Sequence, residues 1–484
     1  MPEKHLERTQ QQTLRIMQNS QKRPNQKKIL HQQMRQGMRR LKMGKQYSGY
    51  RTFKSRTKDL KLPAKLAVIL FLIVLIRIGS SYPLPFVNGD YMRGLLGMQG
   101  LAFLNAMTGG SMQQMSLFAL SISPYITASI IMQLMTVIFP GIEEMQKDGK
   151  TGQDRFKNIT RILAAALSVL QSAAMAVGLG AKGLLITYTP TTVLIATLVW
   201  SIGGVILIGI SSYIDWMEIG NGISIILCAN ILSTFPSDLF AIRDVYLTNR
   251  LPAVMGVNVV LITMVFLAVI AACAALYMTQ KEIPVVNSRK LAGSVNKSTF
   301  PIPLNTCSVM PVIFASSIIS MPLIVVQFLG KGNDGILMHI VKGLSSNEWF
   351  KLETPQYSVG ALFYFLLTTF FTYFYLEIGF NPMEIADNLK KSGATIPGIR
   401  PGKPTEEYIR KWSVRIALTG NTITTALILA MHAVCNNSGM GTLSITGTSI
   451  IILVGVVVEE KKLFASLLAV NKLRYKRKGS LIHA

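Results

Sequence analysis

Apolar runs of about 20 residues recur along this chain, the length an α-helix needs to cross a hydrocarbon layer roughly 30 Å thick. Inside such a layer every backbone N–H and C=O must find its partner within the protein, so only helices or closed barrels can span it. The runs predict ten spans, near 64–82, 116–139, 159–180, 187–211, 221–238, 255–279, 307–329, 357–378, 412–435 and 443–459. The second carries a shorter companion at about 98–109, too short to cross alone. Composition agrees: half of the 484 residues are hydrophobic and only 15% charged, and the mean hydropathy is +0.39. A soluble chain of this length is rarely so apolar. The expected fold class is therefore an all-α integral membrane protein.

Charge is placed unevenly. The net charge is +26, and Met1 to Lys65 alone holds 18 Lys/Arg against Glu3, Glu7 and Asp59, a balance of +15. This segment, about 1–62, reads as a disordered basic tail, suited either to anionic lipid or to ribosomal RNA. It has no apolar core followed by a small-residue cleavage site, so it is not a signal peptide. Basic residues then favour alternate loops: Lys147, Lys150, Arg155 and Lys157; Lys281, Arg289, Lys290 and Lys297; Lys390, Lys391, Arg400, Lys403, Arg410 and Lys411. The 461–484 tail is basic as well. Lys/Arg-rich loops stay on the cytosolic side, which predicts ten crossings with both termini cytoplasmic.

No enzyme constellation survives inspection: there is no phosphate-binding glycine loop, no metal-ligand spacing, and no nucleophile with a base and an orienter. No cofactor is expected. Cys228, Cys273, Cys307 and Cys435 form no CxxC and read as small apolar residues. Arg77, Arg415 and Glu377 fall near the ends of apolar runs, where snorkelling to the interface accounts for them.

Several spans are interrupted. Pro124 lies within LFALSISPYITASIIMQLM (Leu117 to Met135) and breaks the helix ladder, and Ile122 and Ile126, four residues apart, share a face. GMQGLAFLNAMTGG, Gly97 to Gly110, is short, apolar and glycine-bounded, as suits a small helix that can leave its site. Asn221-Gly222 signals a turn before a helix, and prolines stand near both ends of SVMPVIFASSIISMP, Ser308 to Pro322. Helices broken in this way suit a structure whose helices line a cavity and move. The loop FNPMEIADNLKKSGATIPGIRPGKPTEEY, Phe380 to Tyr408, carries four prolines, three glycines and many charges. A plain connector needs no such chemistry, so this loop is expected to dock a partner.

These segments together resemble the SecY family, the channel-forming subunits of protein translocons, of bacterial type and somewhat diverged. The resemblance rests on SLFALSISPYITASIIMQL (116–134), TGQDRFKNITR (151–161), GNGISII (220–226), MPVIFASSI (310–318), FNPMEIADNLKKSGATIPGIRPGKPT (380–405) and GTSIIILVGV (447–456), in order. It implies two pseudo-symmetric five-helix halves, 63–240 and 241–460, around an hourglass pore, with cytosolic loops at 280–305 and 379–411. Position by position it implies a pore ring of Ile122, Ile126, Leu227, Ile313 and Ile452. It implies a plug within about 97–110, including Gly97, Leu101, Phe103, Leu104, Gly109 and Gly110. It implies a lateral gate with Thr127, Gln171, Ser316 and Ser317. It implies a face for the SecA motor or the ribosome with Lys281, Arg289, Lys290, Lys390, Lys391, Arg400 and Lys403. Membrane subunits like SecE and SecG, substrate preproteins and the plasma-membrane lipid are the other implied partners. Glu282 stands where the family usually has Arg, and the basic tail is longer than usual. The rival from another class is a secondary transporter of a small solute, which predicts ionisable residues near the midplane. A ribosome-docking platform without a pore is a third reading.

Overall fold

The computed structural model describes residues 62–98, 102–246, 252–287, 298–307, 309–329, 339, 343–351, 353–438 and 447–480. The predicted N-terminal tail, Leu101, Arg289 and Lys290 lie outside them. Of two compact units, the first, through Val68, is described from Leu62, where it opens a helix; the second runs from Ile69 and holds everything discussed below.

The helices follow in order: α1 Leu62–Ser81, α2 Gly89–Met98, α3 Ala102–Thr108, α4 Ser111–Gln114, α5 Ser123–Ile138, α6 Pro140–Lys147, α7 Gly149–Leu179, α8 Pro190–Trp216, α9 Gly222–Tyr246 and α10 Pro252–Met278. Strands β1 Gln280–Asn287 and β2 Ser298–Pro303 come next, then α11 Met310–Leu329, α12 Val359–Gly379, α13 Pro382–Ser392, β3 Ala394–Thr395, α14 Lys403–Asn437 and α15 Gly447–Ser480. A helix stands at each of the ten predicted places. By length and composition, seven among the described residues can cross a membrane, and α5 with α6, bent by 109°, makes an eighth if taken as one broken span. Helix α11 contributes a shorter apolar stretch, Met310–Pro322, among the described residues, and α15 meets Glu459, Glu460, Lys461 and Lys462 after Val458.

The second predicted span is shorter than expected. Residues 116–122 form turns, and α5 begins only at Ser123, with Pro124 in its first turn. Proline lacks an N–H and is preset for that position, so it starts this helix instead of kinking one. The turn segment feeds its own hydrogen bonds, Ser116 N–H to Ser111 O (3.1 Å) and Ser121 N–H to Phe118 O (2.8 Å) among them. Its Leu117 carbonyl rests on α8 at Gly203, where a Cβ would collide with it. Helices α7 and α8 approach closely through Ser168, Ser172, Ser201 and Gly204: the Ser168 hydroxyl donates to Ser201 O at 3.3 Å and the Ser172 and Ser201 hydroxyls bond each other. Small residues serve in this way where helices pack in lipid.

The all-α expectation needs one correction. Loops 280–305 and 379–411, in which no strand is expected, join in a three-stranded sheet of order β2-β1-β3. β1 pairs antiparallel with β2 (Lys281 opposite Ile302) and with β3 (Val286 opposite Thr395, Asn287 opposite Ala394). Along β1, Ile283 and Val285 are buried while Glu282 and Pro284 face out, the two-residue alternation of a strand. Pro284, Pro301 and Pro303 hid these strands, because proline argues against a paired strand. Beneath the sheet a small core gathers Ile283, Ile302, Ile396, Ile409 and Ile416. Helix α13 completes the unit, with the Asn381 carboxamide accepting from Glu384 N–H (3.3 Å) at one end and Gly393, φ 72°, at the other.

Truncating Ile409, which is fully buried in that core, to alanine should cost about 2–5 kcal/mol locally. Limited trypsinolysis should then quicken in 280–303 and 380–402 together, whereas independent loops would respond one at a time.

Candidate functional site

The five aliphatic residues implied as a pore ring are Ile122, which caps α5, Ile126 on α5, Leu227 on α9, Ile313 on α11 and Ile452 on α15. None is more than 4% exposed. Helix α5 touches α11, α11 touches α15, and α15 touches α9. The short α3 lies against both α9 and α15. Of the residues implied as a plug, Gly97 is in α2, Phe103 and Leu104 are in α3, and Gly109 and Gly110 follow it with φ 64° and 80°. Two left-handed residues in succession turn the chain sharply there.

The four implied gate residues sit on three helices in mutual contact: Thr127 on α5, Gln171 on α7, Ser316 and Ser317 on α11. Among the described residues no hydrogen bond joins them. Thr127 donates to Ser123 O (3.1 Å) and Ser317 to Ile313 O (2.8 Å), each within its own helix. At one end of this seam lies a polar cavity of about 260 Å³, lined by Ser129, Gln133, Gln153, Lys157, Asn221 and Tyr375 among others.

Helix α9 is fixed at its N-terminus by Asn221 and by two carboxylates, Asp215 and Glu460, that motif reading did not single out. The Asp215 carboxylate of α8 accepts from Gly222 N–H at 2.7 Å, and Asn221 Oδ1 from Ile223 N–H at 3.1 Å. From α15, the Glu460 carboxylate accepts from Asn221 N–H at 3.1 Å and occupies the space where a Gly220 side chain would stand. Arg161 of α7 pairs loosely with Asp215 at 3.8 Å. Burial raises the Glu460 carboxyl above its ordinary value and the Asn221 N–H opposes the rise, while Glu459 and Asp215 add to it. Carboxylates at a helix N-terminus answer its unpaired N–H groups and its dipole. The turn signal at Asn221-Gly222 located this helix end, but nothing local in the sequence pointed to Glu460.

The implied docking residues gather on the sheet unit. Lys390 and Lys391 end α13, Lys403 begins α14, and Arg400 lies between, all exposed. Lys281 is engaged: its ammonium lies 3.9 Å from the centre of the Trp412 ring. Glu282 is exposed on β1. Arg410 pairs with Glu377 at 2.8 Å on the surface, a contact of small energetic weight. Arg77, expected to snorkel, turns inward to Gly109 and Ser233.

The sequence model described as SecY matches residues 116–460. A curated relative, protein translocase subunit SecY of Streptomyces galbus, is 36% identical over 437 residues, covering 84% of this chain and 94% of its own. Among solved structures, a protein-conducting channel superposes with a TM-score of 0.64 at 19% identity, covering 83% of this chain and 91% of that one. Sec61 in the canine ribosome–channel complex from the endoplasmic reticulum gives 0.60 at 19%, with the same coverage.

Replacing Asp215 by alanine should cost about 1.5–3 kcal/mol, the value of a hydrogen bond to a charged acceptor. Purified protein in detergent should melt at a lower temperature, and Asp215→Asn, which keeps an acceptor oxygen, should recover part of the loss.

Proposed function

The chain belongs to the SecY family, and on that footing we propose that it forms the protein-conducting channel of a plasma-membrane translocase. The observation that carries the reading is the set of five buried aliphatic side chains on touching helices, with α3 lodged against two of those helices. A purely aliphatic constriction excludes water and ions by dewetting yet yields to a passing chain. In this reading ten helices cross the membrane in two halves, 63–240 and 241–460, with both termini cytoplasmic. Helix α3 and its glycines are the plug. The α5–α7–α11 seam is the lateral gate through which apolar segments reach lipid.

The sheet unit is the cytosolic docking face for a ribosome or the SecA motor, with Lys390, Lys391, Arg400 and Lys403 free on its surface. Arg289 and Lys290, in the connection between β1 and β2, belong to the same proposed face. The likeness to Sec61 in a ribosome–channel complex supports a ribosomal partner. Energy comes from ATP hydrolysis by SecA or from ribosomal synthesis, and SecE- and SecG-like subunits complete the assembly.

Reconstituted into liposomes with its membrane partners, SecA, ATP and a labelled secretory precursor, the chain should yield an ATP-dependent protease-protected fraction. Cross-linking the plug segment shut should abolish that fraction. The complete absence of protection, with both SecA and translating ribosomes supplied, would overturn the reading. Ile452→Asn should raise the resting halide leak of such vesicles several-fold, because one carboxamide wets the constriction.

A further inference from the structure

Helix α3 ends among carbonyls that its own ladder cannot satisfy, and three side chains from two other helices answer them. Asn230 of α9, 2% exposed, donates from Nδ2 to Met107 O at 2.9 Å and to the Ser121 hydroxyl at 2.9 Å. One carboxamide therefore ties the end of α3 to the far end of the turn segment that leads into α5. Arg77 of α1 reaches Gly109 O with Nη1 (3.3 Å) and Nη2 (3.4 Å), and also donates to the Ser233 hydroxyl. That hydroxyl lies 3.4 Å from Gly109 O and 2.7 Å from Asn230 O. A Cβ on Gly109 would stand 2.8 Å from both Arg77 nitrogens and 2.9 Å from Ser233 Oγ, so the guanidinium occupies the space that this glycine leaves free.

We propose that Arg77, Asn230 and Ser233 are a polar latch that holds α3 in its resting place and must release before the channel opens. The inference rests on the reading of α3 as the plug. The backbone acceptors that the movable segment presents are the carbonyls of Met107 and Gly109. All the donors are on α1 and α9, which stay in the wall. Withdrawing α3 breaks the contacts to Met107 and Gly109 together, and in a water-poor interior nothing replaces them until water enters. The wall also offers the guanidinium a place to go. Between α1, α9 and α15 lies a cavity of about 530 Å³, lined by Arg77, Ser233, Cys228, Val456 and Glu460. Swinging into it removes both Arg77 contacts with Gly109 and leaves a positive charge near a carboxylate. Because Asn230 and Ser233 follow Leu227 on the same helix, these two latch residues and Leu227 are carried by one element.

The test uses the full chain, purified with the membrane partners that accompany it and reconstituted into liposomes, with resting halide leak as the readout. Asn230→Ala should raise the leak roughly two- to tenfold, the equilibrium shift expected from losing one net hydrogen bond. Ser233→Ala should act in the same direction more weakly, and Arg77→Lys, which keeps the charge but loses the paired donors, should raise it as well. Deleting 102–108 should raise the leak further, and adding Asn230→Ala to the deletion should change nothing more. If the deletion raises the leak but Asn230→Ala, Ser233→Ala and Arg77→Lys leave it unchanged, the latch is wrong and the plug stands. If the deletion itself leaves the leak unchanged, the plug reading falls and the latch with it. Melting temperatures of the point variants within a degree or so of the parent would separate loss of the latch from general loosening, and a leak that simply tracked a fall in melting temperature would overturn the proposal.

Discussion

An unpaired N–H or C=O inside a membrane has no water to turn to, and most of this architecture follows from that. Unbroken helices meet the demand within themselves. The breaks do not, and this chain breaks its helices where the candidate channel lies: after α3, before α5 and before α9. After α3 and before α9 a side chain from elsewhere supplies what the ladder lacks, while the turns before α5 bond within the neighbouring backbone. Asn230 and Arg77 serve the carbonyls that close α3. Asp215 and Glu460 serve the amides that open α9. Outside the membrane the demand relaxes, and there the chain can use strands and proline-rich turns.

Helix α9 concentrates these contacts. Its first turn is bound to α8 and α15, its middle contributes Leu227 to the aliphatic set, and its next turn carries Asn230 and Ser233 toward α3. A residue placed between two such anchor points has little freedom to drift. Leu227 is fully buried for that reason as much as for its own packing. A ring of separate side chains can seal only if each is held at a common level, and hydrophobic contact, being non-directional, does not set a level. Directional hydrogen bonds on either side of Leu227 do.

Periodicity and length located a helix at each predicted place, and the position-by-position resemblance found five aliphatic residues that the fold buries on touching helices. What escaped reading had physical causes. Pro124 looked like an interruption within a helix, since composition alone does not show that the preceding turns, 116–122, close on themselves. The strands were masked by Pro284, Pro301 and Pro303 and by their shortness. Arg77 near the end of an apolar run suggests snorkelling, and only the position of Gly109 reveals an inward partner. Glu460 and Asn221 are far apart in sequence, so no local pattern could join them. The four gate residues share a seam but no hydrogen bond, which a resemblance between sequences does not resolve.

The pairing of β1 with β3 also sets an order of events during synthesis. Asn287 finds its partner only at Ala394, and between the two lie α11, α12 and α13. At roughly 5–20 residues per second, the first hairpin waits on the order of ten seconds with one edge open. The central strand of the sheet is thus a template long before its last strand exists. Until then the hairpin stands without α13 and β3, and a half-made copy of this protein cannot present the finished surface to anything that would bind it.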